Sequence, residues 1–347
     1  MSRVYVLLLN WNNWPDTLEC LESLQRLDYP DYRIVVCDNG STDNSLKYIK
    51  SWADRTLDVL VRSRSQCYSF PPVDKPVHYC ELDRAAAEAS DNVHDGSALL
   101  TLISTGSNLG FAGGNNVGLR YALGREDCDY VWLLNNDTVV DPNALKALVS
   151  RLKEKPAAGM CGSTLLEYDR PERIQALGGA FYSRWFAHAW HLGRFRKRSE
   201  SIDPSRIEPW MDYVIGASML VSRECIQEVG LMCEDYFLFF EEIDWAMRAQ
   251  PQFSLAFAAD SLVYHKVGAS VGTSSHPGRK SVVCDFCNVR NRLLFTWKFF
   301  PWALPTVYVG LIGTLLSRAC FGQWDRVRMI LSLCLNFRSD KGSIPEL

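Results

Sequence analysis

Residues 4–9 form an unbroken apolar run of Val, Tyr and Leu, and the polar segment Asn10-Trp11-Asn12-Asn13-Trp14-Pro15 ends it. Such a run predicts a strand covered on both faces. Leu18, Leu21, Leu24 and Leu27 then recur at helical spacing, with Asp16 or Thr17 as the expected N-cap. Residues 32–37 predict a second strand, closed by the turn-forming Asp38-Asn39-Gly40-Ser41-Thr42-Asp43, and residues 45–53 a second helix. A chain that opens β-α-β-α calls for a parallel sheet with helices on its faces. Between 62 and 96 the rhythm stops: Pro71, Pro72 and Pro76 and scattered charges predict a long loop or insertion, with a short helix at 84–89. Strands at 99–103 and 130–134, a helix at 115–123 and a helix opened by Asp141-Pro142 resume the pattern.

Beyond Pro156 the pattern loosens. Residues 181–198 mix Phe181, Tyr182, Trp185, Phe186, Trp190 and Phe195 with Arg194, Arg196, Lys197 and Arg198. Residues 213–222 predict a strand, 223–229 a short helix closed by Gly230, 242–249 another helix and 253–258 a strand. Residues 299–317 carry no charge over 19 positions, near the lower limit for a membrane span, but Pro301, Pro305, Gly310 and Gly313 interrupt them. Flanked by Lys298, Arg318, Trp297 and Trp302, they read best as helices lying in a membrane interface, ahead of a spanning or a buried helix.

Composition changes this picture little. A 47% hydrophobic, 22% charged chain is globular, and a net charge of −3 argues against a nucleic-acid partner. The start of the chain lacks the shape of a cleavable signal peptide, so the 12 irregularly spaced cysteines are expected to be free thiols in a reducing cytoplasm. Cys284 and Cys287 form a lone C-x-x-C with no second pair nearby, and ordinary buried thiols account for it better than a metal site.

Five polar clusters interrupt the apolar elements. Asp38 stands at the carboxyl end of a strand, where ligands of open parallel sheets bind and where an acid can meet a ribose or a base. Asn108-Leu109-Gly110-Phe111-Ala112-Gly113-Gly114-Asn115-Asn116 puts glycines and amides ahead of the predicted helix at 115, as a backbone cradle for phosphate would. It is neither G-x-G-x-x-G nor a P-loop, which excludes the common dinucleotide and nucleoside-triphosphate motifs. Asn135-Asn136-Asp137 follows a buried strand and offers one carboxylate to a hard cation. Glu241-Glu242-Ile243-Asp244 follows the aromatic run at 236–240; burial there raises carboxyl pKa values, as a general base needs, while a helix start opposes the shift. Which of the three acids serves stays open at this level. His265-Lys266, after an apolar strand, can complete a metal shell or touch phosphate. Each cluster also has a bland structural account, as a turn, a cap or a first-turn acid.

Taken in order, these segments resemble family 2 glycosyltransferases, in particular their rhamnosyltransferase-like branch. The matching stretches are Leu8-Leu9-Asn10-Trp11-Asn12, 38–43, 108–116, Asn135-Asn136-Asp137-Thr138, 240–244 and His265-Lys266, so the resemblance spans about residues 3–295. It implies an α/β GT-A fold with a mostly parallel central sheet at 1–295 (62–98 an insertion) and a C-terminal apolar helical segment at 296–347 that associates with a membrane. It implies an inverting, metal-dependent transfer from a nucleotide-sugar, dTDP-rhamnose first and a UDP-hexose second, to a glycan or lipid-linked acceptor in cell-surface polysaccharide or glycolipid assembly. A non-catalytic nucleotide-sugar-binding scaffold is the rival reading. The implied location is the cytoplasmic face of the cell membrane. By motif, Asn10, Asn12, Asp38, Asn108, Gly113, Gly114, Asn115, Asn135 and Asn136 would line the nucleotide-sugar site, and Arg248 would approach its phosphates. Asp137 and His265 would hold Mg²⁺ or Mn²⁺. Glu242 would occupy the place of the base, with Glu241 and Asp244 as alternatives, because the family's usual E-D pair reads Glu-Glu here. The Q-x-x-R-W motif of processive synthases is absent from the sequence, which favours single addition.

Overall fold

The computed structural model describes residues 2–57, 68–89, 98–198, 202–266 and 281–337. In chain order its elements are β1 (Val4–Asn10), α1 (Trp14–Leu24), β2 (Tyr32–Asp38), α2 (Ser45–Ala53), β3 (Tyr79–Asp83), α3 (Arg84–Glu88), β4 (Leu100–Ser104), α4 (Gly110–Leu123), β5 (Tyr130–Asn135), β6 (Thr138–Val140), α5 (Ala144–Glu154), β7 (Ala158–Glu167), β8 (Arg170–Leu177), β9 (Gly179–Ser183), β10 (His188–His191), α6 (Pro204–Ile207), β11 (Tyr213–Val214), β12 (Ser218–Ser222), α7 (Arg223–Val229), α8 (Glu241–Ala249), β13 (Ser254–His265), α9 (Val282–Phe299), α10 (Leu304–Cys320) and α11 (Trp324–Asn336).

Ten strands make one mixed sheet in the order β3-β4-β2-β1-β5-β12-β7-β13-β6, with β8 branching from β7. The run from β3 to β5 is parallel, as is β7 with β13, while β12 lies antiparallel between β5 and β7. The apolar run of β1 divides by period two. Val4, Val6 and Leu8 face a core with α1, α2 and α5, and Tyr5 and Leu7 face a second core with α4, α7 and α8. Coverage on both faces is why the sequence shows no alternation there. A smaller sheet, β10-β9-β11, joins a third core built with α9, α10 and α11.

Several expectations are corrected. The glycines at 110–114 lie inside α4 rather than before it. Neither Asp16 nor Thr17 caps α1, which begins at Trp14: Asp16 pairs with Lys266, and Thr17 bonds to Asn10. The insertion supplies an edge strand, β3, beside β4, in addition to the short helix α3. Its residues 62–67 and 90–97 lie outside the described residues. Buried Glu22 ties the insertion down by accepting from Lys75, Trp52 and the Val73 N–H. The strand expected at 213–222 is split by Ile215, Gly216 and Ala217 into β11 and β12. The boundary placed at 295/296 falls within α9, whose apolar side belongs to the same core as Tyr182, Tyr236 and Ile243.

Candidate active site

The carboxyl ends of β1, β2, β5 and β13 meet along one edge of the sheet. The side-chain amide of Asn10 donates to Asp38 Oδ1 (2.8 Å) and to Ser41 Oγ (3.1 Å), and its oxygen accepts from Thr17 (2.8 Å). Asn136 reaches the same cluster through Thr17 (2.8 Å). Asn12 sits at φ +50° and accepts from the Thr42 N–H (2.7 Å), fixing the turn after β2. This network holds the Asp38 carboxylate at the strand end. Asn39, adjacent to it, bonds Asn108 Oδ1 (3.0 Å) and the Leu109 N–H (3.0 Å), joining the β2 turn to the start of α4.

The glycine-rich segment serves packing. A Cβ on Gly114 would stand 2.4 Å from Leu9 Cδ1, and one on Gly110, at φ +74°, 2.4 Å from the Phe237 carbonyl. The first N–H groups of α4 are engaged, that of Phe111 by Phe237 O (2.6 Å) and that of Gly110 by Asn108 (3.0 Å). The glycines of this run let α4 press on β1 and on the aromatic loop. The Asn115 side-chain amide bonds the Phe111 carbonyl within its own helix (2.9 Å).

Asn135 closes β5, its N–H bonded to Ala217 O (3.1 Å). Two residues on, Asp137 is buried, and the Lys266 N–H donates to its main-chain oxygen (2.9 Å), bringing the end of β13 alongside. His265 Nε2 stands 3.2 Å from Asp137 Oδ1, an oxygen that is buried and accepts no well-formed hydrogen bond. His265 Nδ1 lies 3.0 Å from Gln175 Oε1. That oxygen accepts a proton carried on Nδ1, and the ring then turns Nε2 toward the carboxylate. With Nε2 protonated the two form an ion pair, and with Nε2 bare they can share a cation. The separation matches adjacent ligands of an octahedral divalent ion, roughly 3 Å for bonds of about 2.1 Å. Burial acts to raise the Asp137 carboxyl, but His265 and Lys266 outweigh it and hold it below the usual range. No third His, Cys, Asp or Glu joins them among the described residues. A Mg²⁺ or Mn²⁺ ion here would complete its shell with water and phosphate oxygens, as these ions usually do. The Lys266 ammonium points elsewhere, to Asp16 and Glu19 (2.5 Å each).

The acids of α8 follow a strained loop. Phe237, Phe239 and Phe240 all have positive φ (58°, 68° and 76°), a conformation costly for such side chains. The side-chain amide of Asn291 on α9 holds the loop by donating to the carbonyls of Tyr236, Leu238 and Phe239 (2.7, 2.8 and 3.1 Å), and Arg290 bonds Asp235 O (2.8 Å). Glu242 lies against Gly216, where a Cβ would come within 2.5 Å of its Oε1. Burial raises its carboxyl above the ordinary range. Glu241 is 2% exposed with an unpartnered Oε2; burial first, then the neighbouring Glu242, raise it well above that range. Asp244 is corrected as a candidate base. It is fully buried and neutralised by Arg248 (2.7 Å) and Lys298 (2.5 Å), and it accepts from Tyr236 (3.0 Å). Arg248 is corrected too: its remaining donors go to the carbonyls of Val229 and Leu231 (2.8 Å each), not toward the strand ends.

The turn between β11 and β12 unites both halves, since Gly216 lies against Glu242 and Ala217 accepts from Asn135. Gln175 and Gly216 escaped the sequence reading, because an isolated Gln and an isolated Gly carry no pattern.

An open, mostly parallel α/β sheet with this strand order is the α/β GT-A fold of nucleotide-sugar-dependent glycosyltransferases. The chain belongs to glycosyl transferase family 2, whose model matches residues 5–67 and 83–230. It is 24% identical to the low-salt glycan biosynthesis hexosyltransferase Agl10 of Haloferax volcanii over 233 residues, 66% of this chain and 68% of that protein. Hyaluronan synthase 2 of Heterocephalus glaber is 30% identical over 153 residues, 43% of this chain and 26% of the synthase, so the match spans about a quarter of that relative. Among solved structures, the mannosyltransferase PcManGT of Pyrobaculum calidifontis, in complex with GDP-Man and Mn²⁺, superposes with a TM-score of 0.50 at 14% identity, covering 98% of this chain and 88% of that one. GalNAc-T7 with UDP, GalNAc and Mn²⁺ gives 0.53 at 13% identity, covering 84% and 50%.

Proposed function

We propose that this glycosyltransferase moves one sugar, with inversion, from a nucleoside-diphosphate sugar to an acceptor hydroxyl, with Glu242 as base and Asp137 and His265 as the protein ligands of Mg²⁺ or Mn²⁺. The observation that carries this reading is the orphaned Asp137 oxygen facing His265 Nε2 on one side of the β11–β12 turn and Glu242 on the other. The cation, when bound, neutralises charge developing on the departing diphosphate. Asp38, held by Asn10 and Ser41, offers an acceptor to the nucleoside end of the donor. Glu242 takes the proton of the attacking hydroxyl, and its raised pKa suits it to that step near neutral pH. Displacement of the diphosphate by that hydroxyl inverts the sugar and needs no second carboxylate as nucleophile. Glu241, buried next to it in sequence, has its carboxyl raised well above the ordinary range by burial and by Glu242.

The donor put first is dTDP-L-rhamnose, on the likeness of residues 108–116 and 135–138 to the rhamnosyltransferase-like branch. The hexosyltransferase relative supports a hexose donor as the second reading, and the GDP-Man and Mn²⁺ bound by the mannosyltransferase make that donor and that ion part of any test. The acceptor is a glycan or lipid-linked hydroxyl at the cytoplasmic face of a membrane. Pro301–Cys320 is long and apolar enough to span by length and composition. Yet the start of α10 bonds Trp185 O through Thr306, and its end pairs Arg318 with Asp285 of α9 (2.6 Å). These ties to the globular body favour a helix that lies on a bilayer. Trp302, Val309, Ile312, Leu316 and Trp324 are more than half exposed on this layer, the surface such a helix would bury.

The test is release of nucleoside diphosphate from dTDP-, UDP- and GDP-sugars with Mg²⁺ or Mn²⁺, beside Asp137→Ala and Glu242→Gln. Selective release lost in both variants supports the reading and names the donor. Turnover retained in both refutes the site. Donor binding without turnover, in the presence of membrane-extracted acceptors, supports the non-catalytic scaffold.

A further inference from the structure

Strand β8 pairs with β7 through Leu165–Ala176 and Leu166–Ile174, so Gln175 is the extra residue of a β-bulge. A bulge re-aims one side chain without disturbing its neighbours' register, and bulges gather beside active sites. This one is fixed from the outside as well. The N–H of Leu177 donates to Leu192 O (2.8 Å), that of Ile174 to Arg196 O (2.9 Å), and that of Phe195 to Ile174 O (2.9 Å). Gln175 itself is 9% exposed, and its Oε1 lies 3.0 Å from His265 Nδ1.

We infer that Gln175 is a positioning residue: held on a bulge gripped from both edges, it fixes the Nδ1–H tautomer of His265 so that Nε2 faces Asp137 and the cation. The inference rests on the cation site proposed above. A histidine ligand needs a partner on its second nitrogen to set ring orientation and tautomer, and loss of such partners typically lowers metal affinity about 10–100-fold. A residue that only filled space would be replaceable by any side chain of equal volume.

Two measurements on the full-length protein decide it. With ¹⁵N-labelled histidine and no metal, long-range ¹H–¹⁵N spectra report the tautomer of His265, one of 6 histidines, assigned by His265→Ala. The wild type and Gln175→Glu, which keeps the acceptor, are expected to show Nδ1–H. Gln175→Leu is expected to lose that preference at an unchanged melting temperature. Mn²⁺ titration followed by electron paramagnetic resonance, with and without UDP, dTDP or GDP, is expected to weaken roughly tenfold or more in Gln175→Leu and to be retained in Gln175→Glu. An Nε2–H tautomer in the wild type overturns the inference. So does unchanged Mn²⁺ affinity in Gln175→Leu while His265→Ala and Asp137→Ala lose it, an outcome that leaves the cation site standing. If neither of those two variants weakens Mn²⁺ binding, the cation site falls and the role of Gln175 with it.

Discussion

Glu241, Glu242 and Asp244 are the same chemistry in three surroundings, and only the surroundings assign their roles. Glu242→Gln is expected to lower turnover by roughly 10²–10⁴-fold with donor affinity kept, measured by steady-state kinetics and donor titration. Because Glu242 must be ionised to act and burial raises its carboxyl, wild-type activity should fall with decreasing pH above the ordinary carboxylate range. For Glu241 the sign is worked out through stability. Its folded pKa lies above the unfolded one, so the stability it contributes is full below the unfolded value and is lost as pH rises through the folded value. Glu241→Gln should remove that loss, so its melting temperature relative to wild type climbs from pH 4 to pH 7. A flat difference across that range refutes the buried neutral acid. Asp244→Asn leaves Arg248 and Lys298 without their carboxylate and should destabilise the fold at neutral pH, read as a lower melting temperature.

Elements place these residues by close approach. Gly114→Ala brings a Cβ to 2.4 Å from Leu9 and 3.1 Å from Asn39, and should cost about 1–3 kcal/mol in chemical denaturation. The strained loop before α8 depends on α9. Asn291→Leu strips three carbonyls of their side-chain donor, and loss at the buried Tyr236 carbonyl alone costs about 1–3 kcal/mol before relaxation. The expected signature is a fall in kcat as Glu242 loses its place, with the donor's KM little changed. A fall in neither quantity would show that the loop holds its shape unaided. At this scale the sequence was legible where periodicity is strong: α2 and α7 occupy the residues their patterns predict. It failed at α4, because glycines that permit helix packing are the same residue type as glycines that cradle a phosphate. It failed again from β7 to β10, where a branched sheet with a bulge follows no simple alternation.

The whole molecule joins its C-terminal helices to the catalytic half by a buried charge cluster. Asp285 on α9 pairs with Arg318 of α10 (2.6 Å) and Arg326 of α11 (2.8 Å). Asp285→Ala strands two cations, one of them buried, and should destabilise the protein by about 3–5 kcal/mol. It should also loosen α10 and α11 first, seen as early amide exchange there. Charges placed on the outer face test the membrane surface. Ile312→Glu with Leu316→Glu should leave nucleoside diphosphate release intact and abolish flotation with vesicles containing anionic lipid. Flotation unchanged in that variant refutes the surface.

The chain's order of motifs and its two-sided apolar runs determined the α/β class, the parallel half of the sheet and the residues that reach the strand ends, because burial on both faces and turn chemistry are local properties written into neighbouring positions. Tertiary structure alone decided which acid is ion-paired, which glycines pack against neighbouring elements, and that Gln175 meets His265. Those outcomes depend on partners 90 residues apart for Gln175 and His265 and 54 apart for Asp244 and Lys298, and no local pattern encodes a contact made across the sheet.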